Sequence, residues 1–277
     1  MHHSTDSFQT IDGLRIHTES WLPVSVPKAG VLIVHGIGEH LGRYQHVATF
    51  LVESGYAVYG LDHRTHGRSE GEPRVYVDDF DVPINDLKQY FDLIRSTAPD
   101  TRIFLYGHSM GAIIGTEFVV RYQEVLSGFI SSGSPLTFDA TVPAIMTIIG
   151  KVLDRLVPTM PLVNLGLEYI SSNPEVVAAY MSDPLVHTGR LRVRTAVLAN
   201  QVPAPLRDRL PELHLPLLIL HGGGDKLVPV SGSELLYDKA SSTDKTLKIY
   251  PELYHEIHNE PQQKTVLSDI VNWLDQH

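Results

Sequence analysis

The chain has no cysteine in its 277 residues, so disulfides and thiolate zinc sites are excluded. That absence suits a reducing, cytoplasmic setting. No apolar run is long enough for a membrane span: the best stretches, around residues 140–150 and 156–167, are separated by Lys151, Asp154 and Arg155. The opening Met1-His2-His3-Ser4-Thr5-Asp6 carries no apolar stretch, so no signal peptide is expected. Positive charge is also scarce. Lys and Arg number 22 against 32 Asp and Glu, a formal net charge of −10, which argues against nucleic acid and anionic membranes as main partners. A neutral small molecule fits better. Hydrophobic residues make up 43% and charged residues 19%, enough apolar material for one large domain with a full core.

Short apolar runs ending at Gly, Pro or Asp recur along the chain. They are Val31–Val34, Tyr56–Leu61, Ile103–Tyr106, Phe129–Ile130, Leu217–Leu220 and Leu247–Tyr250. Such runs read as buried parallel strands. Helical patterns lie between them: Val47, Phe50 and Leu51 share one face, as do Ile84, Leu87, Phe91 and Ile94, and Val266, Ile270 and Leu274. Alternation of this kind predicts an α/β fold, a mostly parallel central sheet with helices on both faces. Sites then sit at the carboxyl ends of the strands. Leu14–Trp21 and Phe8–Ile11 are expected to form an antiparallel edge hairpin. From about residue 138 to about 190 the pattern turns helical and Pro-interrupted. We expect a single domain over residues 1–277 with this segment inserted as a cap. Ile145, Ile148, Ile149, Val152, Leu153 and Leu156 make an apolar stripe there. It either lines an acyl channel, docks at a lipid surface or packs down as core.

Gly107-His108-Ser109-Met110-Gly111 is the one G-x-S-x-G in the chain. It follows a strand run and precedes the helical stretch 112–120, the context a nucleophile elbow needs. A serine nucleophile needs a base, and the base needs an orienter. With that elbow the chain order is Ser, then Asp or Glu, then His. Asp225 follows the 217–220 strand through Gly222-Gly223-Gly224, and His255 follows the 247–250 strand. Asp238 and Asp244 are rivals that follow no strand; His258 is a rival to His255 farther from the strand end. The oxyanion of an acyl-transfer intermediate needs two N–H donors. Met110, after the nucleophile, supplies one, and Ile37 in the loop after Val31–Val34 is the choice for the other.

The blocks His35–Tyr44 (HGIGEHLGRY), Asp62–Gly71 (DHRTHGRSEG), Gly107–Gly111, Leu220–Asp225 (LHGGGD), His255–Glu260 (HEIHNE) and Asp183–His187 (DPLVH) resemble the monoacylglycerol lipase family. The resemblance runs from about residue 8 to the C-terminus. It implies the α/β-hydrolase fold and a carboxylic ester hydrolase that cleaves monoacylglycerols through an acyl-enzyme on Ser109. Asp225 would orient His255, and Ile37 and Met110 would hold the oxyanion. It further implies that Glu39, Arg43 and His258 line the glycerol end of the pocket. Glu39 and Arg43 are also spaced for an i,i+4 ion pair. The expected substrate is a lipid ester, met through transient membrane or micelle contact of the cap. The other readings are a general carboxylesterase or lysophospholipase with the same triad, and a non-catalytic ligand receptor.

No cofactor or metal is expected. Gly36-x-Gly38-x-x-x-Gly42, with Asp62 about 20 residues on, imitates a dinucleotide fingerprint but is one residue too long. His255-Glu256-Ile257-His258 is spaced i,i+3 and misses the i,i+4 of a zinc helix. The 62–71 block reads as a structural loop.

Overall fold

The structure, a computed structural model, describes residues 1–277 apart from the side chains of residues 140 and 141. In chain order the main elements are β1 (His2–Gln9), β2 (Arg15–Leu22), β3 (Gly30–Val34), α1 (Gln45–Glu53), β4 (Ala57–Leu61), α2 (Asp81–Thr97), β5 (Ile103–His108), α3 (Met110–Tyr122) and β6 (Gly128–Ser132). The second half has α4 (Ala144–Leu156), β7 (Pro161–Val163), α5 (Pro174–Ser182), β8 (Leu191–Arg192), α6 (Val193–Gln201) and α7 (Pro203–Arg209). It ends with β9 (Leu217–Gly222), α8 (Ser231–Lys239), β10 (Lys245–Tyr250) and α9 (Gln263–Leu274).

Eight strands form one sheet in the order β1-β2-β4-β3-β5-β6-β9-β10. The pairs from β4 to β10 are parallel, and β1 and β2 form an antiparallel edge, with β2 also antiparallel to β4. This is the α/β-hydrolase architecture. The expected edge hairpin is present with other bounds: β1 extends back to His2 and ends at Gln9, and residues 10–14 turn. Phe8 and Gln9 pair with Ile16 and Arg15, as the hairpin requires, while Thr10 accepts from Gly13 and donates to Leu14 through the backbone and Gly13 takes a positive φ, so only residues 10–14 leave the ladder.

Alternate side chains along each central strand feed two core layers. Leu32, Val34, Leu105 and Ile219 pack with α2 and α3 on one face. Val31, Ile33, Phe104, Tyr106, Leu218 and Leu220 pack with α1 and α9 on the other. The period of two along the strand thus sorts each run between two helix layers.

Between β6 and β9 the chain crosses the carboxyl ends of the strands, and its helices continue past residue 190 through α6 and α7. On α4 the apolar stripe splits. Ile149 and Leu153 line a cavity beneath, whereas Ile148 is 59% and Leu156 72% exposed. No described side chain of α4 is buried, so the stripe does not serve as core.

Candidate active site

The turn between β5 and α3 displays Ser109 at φ 55° and ψ −118°, a strained conformation for a residue with a side chain. The neighbouring glycines make that turn sterically feasible. A Cβ on Gly107 would meet the Gly111 carbonyl oxygen at 2.4 Å, and one on Gly111 would meet that of Val34 at 2.0 Å. The Ser109 amide donates to the Ser132 carbonyl at 2.9 Å, which ties the elbow to the end of β6. Because α3 starts at the next residue, its free amides converge on the serine.

Asp225 and His255 follow the two neighbouring strand ends, β9 and β10, and the structure brings them together. Nδ1–H of His255 donates to Oδ2 of Asp225 at 2.7 Å. Oδ1 of Asp225 accepts from the amides of Leu227 and Val228 at 2.8 and 2.9 Å. Burial alone would raise the Asp225 carboxyl, but His255, His221 and the Val228 amide outweigh it and hold the carboxyl far below the usual range. Burial likewise pushes His255 down, and the Asp225 carboxylate more than offsets it, so the imidazole sits above its ordinary value. With Nδ1 committed to Asp225, Nε2 is the remaining ring nitrogen, and His255 and Ser109 line the same cavity.

The rivals lie elsewhere. Asp244 pairs with His277 at 2.8 Å, and Asp238 sits within α8. His258 is fully buried behind the site, its ring stacked 4.8 Å from Tyr44 and edge-on at 4.8 Å to His108.

In the loop after β3, Ile37 lines the same cavity, as does Met110. Neither backbone amide has an acceptor among the described residues, so both remain available. His35 shapes this loop: its Nδ1–H donates to the Gly36 carbonyl and its Nε2 accepts the His63 amide. The 62–71 block is consumed by its own bonds. Asp62 accepts from the amides of Leu41 and Arg68 and leaves no carboxylate for a ribose.

The three residues implied for glycerol binding separate. Glu39 lines the cavity. Arg43 and His258 are not among the residues that line it. Arg43 is spent on Glu39 and Glu256, and His258 is walled off by Tyr44, Tyr106 and His108. Among the described residues no group of three or more His, Asp or Glu is arranged to hold a metal ion.

The cavity measures about 500 Å³ and is mostly apolar. Phe80, Ile113 and Val228 line it from the segments around the sheet, and Ile149, Leu153, Leu191 and Val197 from the stretch between β6 and β9. Residues 25–262 match the Hydrolase_4 family, described as serine aminopeptidase, S33. The chain is 39% identical to the monoacylglycerol lipase of Mycolicibacterium smegmatis over 274 residues, 99% of this chain and 98% of that protein. It belongs to the monoacylglycerol lipase family. A second member, the monoglyceride lipase of Mus musculus, is 36% identical over 95% of this chain and 88% of its own length. The solved structure of a soluble variant of the Saccharomyces cerevisiae monoglyceride lipase with a substrate analog aligns at a TM-score of 0.87 and 26% identity, covering 100% of this chain and 95% of that one.

Three residues around this site were not singled out from the sequence: His221 beside Asp225, and Glu256 and Tyr180 around Arg43. Nε2–H of His221 donates to the Val228 carbonyl at 3.1 Å and lies 3.2 Å from Oδ2 of Asp225, while Nδ1 accepts from Ser233 at 2.7 Å. A histidine at the buried last turn of a strand, four residues before the aspartate, was the available signal.

Proposed function

We propose that the protein hydrolyses monoacylglycerols to fatty acid and glycerol through an acyl-enzyme on Ser109. The observation that carries this reading is an Asp225-held imidazole and a serine on a strained elbow lining one apolar cavity. Its relatives named as monoacylglycerol and monoglyceride lipases support the substrate class.

His255 takes the proton from Ser109 Oγ as the oxygen attacks the ester carbonyl. Asp225 keeps the imidazole in the Nδ1–H tautomer and stabilises its protonated form. The amides of Ile37 and Met110 bind the oxyanion as the tetrahedral intermediate forms. His255 then protonates the departing glycerol oxygen, and afterwards activates a water that releases the fatty acid.

The acyl chain extends under the cap, along Ile149, Leu153 and Leu191. Glu39 stands at the alcohol end, with Arg43 and His258 supporting that wall from behind. The whole chain works as one catalytic domain, with the helical insertion from residue 138 as its cap. We place its work in the cytoplasm, with transient contact of the exposed face of α4 at membranes or micelles. Ile145, Ile148, Val152 and Leu156 supply the apolar face for it. No helix among the described residues is long and apolar enough to cross a membrane.

The test is a hydrolysis profile over monoacylglycerols, di- and triacylglycerols and lysophospholipids, together with fluorophosphonate labelling. Preference for monoacylglycerol with label on Ser109 is expected. A preference for lysophospholipid removes the substrate assignment, and an unlabelled protein removes the reaction.

A further inference from the structure

A buried ion network runs from the cavity wall at Glu39 through Arg43 to Glu256, and none of the proton transfers above uses it. Glu39 is 2% exposed. Its Oε1 accepts from the Gly36 amide at 2.7 Å and from the Tyr44 hydroxyl at 2.8 Å, and its Oε2 accepts from Arg43 at 2.7 Å. Arg43 then reaches Glu256 through two bonds of 2.6 Å each. Glu256 directly follows His255. Its carboxylate also takes Asn259 at 2.9 Å, and its amide donates to the Ile170 carbonyl of the cap at 2.8 Å. The guanidinium lies 4.3 Å from the ring of Tyr180 on α5.

Stability does not explain such a network. Two carboxylates share one guanidinium, and burial pushes the Glu39 carboxyl up, the sign of a desolvation cost that offsets much of the attraction. What the network joins is more telling. One end grips the amide of Gly36, whose carbonyl belongs to the peptide that carries the Ile37 N–H. The other end is anchored on the residue beside His255. An oxyanion donor works only when held within about 0.5 Å of its productive position, so a loop that drifts relative to the base loses its value.

We propose that Glu39, Arg43 and Glu256 form a positioning bridge that fixes the Ile37 amide relative to His255. The bridge rests on the serine-hydrolase reading above. The charged ends of Glu39 and Arg43 are committed to protein partners, so the bridge acts through the loop and not by holding glycerol. Arg43 suits the role because its planar fork meets a carboxylate through two parallel bonds, which lysine lacks.

Arg43→Met and Glu256→Gln are compared with the wild type on a monoacylglycerol and on p-nitrophenyl butyrate, which has no glycerol. Thermal unfolding is recorded for each; Glu256→Gln keeps the shape of the side chain and serves if Arg43→Met does not fold. The bridge predicts that kcat falls on both substrates by the same factor, about 10- to 100-fold, with KM within about threefold. Affinity for a boronic acid, which forms a tetrahedral adduct on the serine, should weaken by that same factor. Arg43→Lys should recover little of the loss. Losses confined to monoacylglycerol would overturn the bridge and give Arg43 to the headgroup. Undiminished boronic acid affinity beside a lowered kcat would overturn it as well. Should the wild type neither hydrolyse p-nitrophenyl butyrate nor take a fluorophosphonate label, the parent reading fails and the bridge falls with it.

Discussion

Asp225 and His255, 30 residues apart in the chain, meet through one bond of 2.7 Å that fixes which imidazole nitrogen carries the proton. With Nδ1–H donating to the carboxylate, Nε2 is left as the base. Asp225→Asn keeps the shape and inverts that preference, because an amide group can donate back to Nδ1. The expected cost is about 10⁴ in kcat with an unchanged fold. Steady-state kinetics beside circular dichroism checks this; a loss under tenfold would remove Asp225 from its role.

Ser109→Ala should lower kcat by about 10³-fold or more. The backbone strain at this position is retained in the variant, so its melting temperature should stay close to wild type. Near-normal turnover would mean the nucleophile is another residue.

The acid side of the rate profile follows from His255. Its conjugate acid lies above the ordinary imidazole value, because the Asp225 carboxylate outweighs the burial that pushes it down. The free base is therefore lost at a higher pH than for an exposed histidine. kcat/KM on a non-ionising ester should rise through a single ionisation placed above the usual histidine range. A midpoint below that range contradicts the assignment.

Stability should fail on acidification for a different reason. Burial holds His35, His108 and His258 well below their ordinary value, His66 down to about 4 and His63 down to about 3. On unfolding each takes up a proton near its ordinary value of about 6.5. The unfolded state thus binds more protons, so stability is full above that value and falls as pH drops toward the folded one. The slope is about 1.4 kcal/mol per pH unit for each such histidine. Neither ring nitrogen of His63 has a partner among the described residues, so His63→Phe removes one contribution without breaking a side-chain bond. Urea midpoints between pH 7 and 5 test it: wild type should lose stability faster than the variant. Parallel curves would discount His63.

The exposed face of α4 makes a separate expectation. Ile148→Asp with Leu156→Asp leaves the lining residues Ile149 and Leu153 untouched. Turnover of a soluble short-chain ester should stay within about twofold, while activity on vesicle-borne monoacylglycerol drops about tenfold or more. Equal activity on both would mean this face does not meet lipid.

The local patterns carried a large part of the architecture. Each strand run and each helical face is encoded within about ten residues by side-chain period and by the Gly, Pro or Asp that ends it. The nucleophile turn is local too: strand, G-x-S-x-G and helix occupy consecutive residues, and Gly107 and Gly111 are needed because backbone comes within 2.4 and 2.0 Å of where their Cβ atoms would be. The edge hairpin was legible, but its first strand ends at Gln9 because turn chemistry at Thr10–Leu14 takes over, and Ile11 ends up 97% exposed.

Which charges meet was beyond such reading. Arg43 has Glu39 four residues away, a pairing visible in the sequence, but its bidentate partner Glu256 is 213 residues distant. His258 and Arg43 look as close to the chemistry as Glu39 does along the chain, yet only Glu39 reaches the cavity. The stripe on α4 was legible as apolar, while its division between cavity and solvent depended on where α6 packs. Sequence alone thus determined the sheet, the elbow and the order of the site residues, since these follow from steric and periodic rules acting over short spans. Tertiary structure decided the partners and the facing, because a buried charge or an apolar stripe takes its meaning from whatever distant segment the fold sets against it.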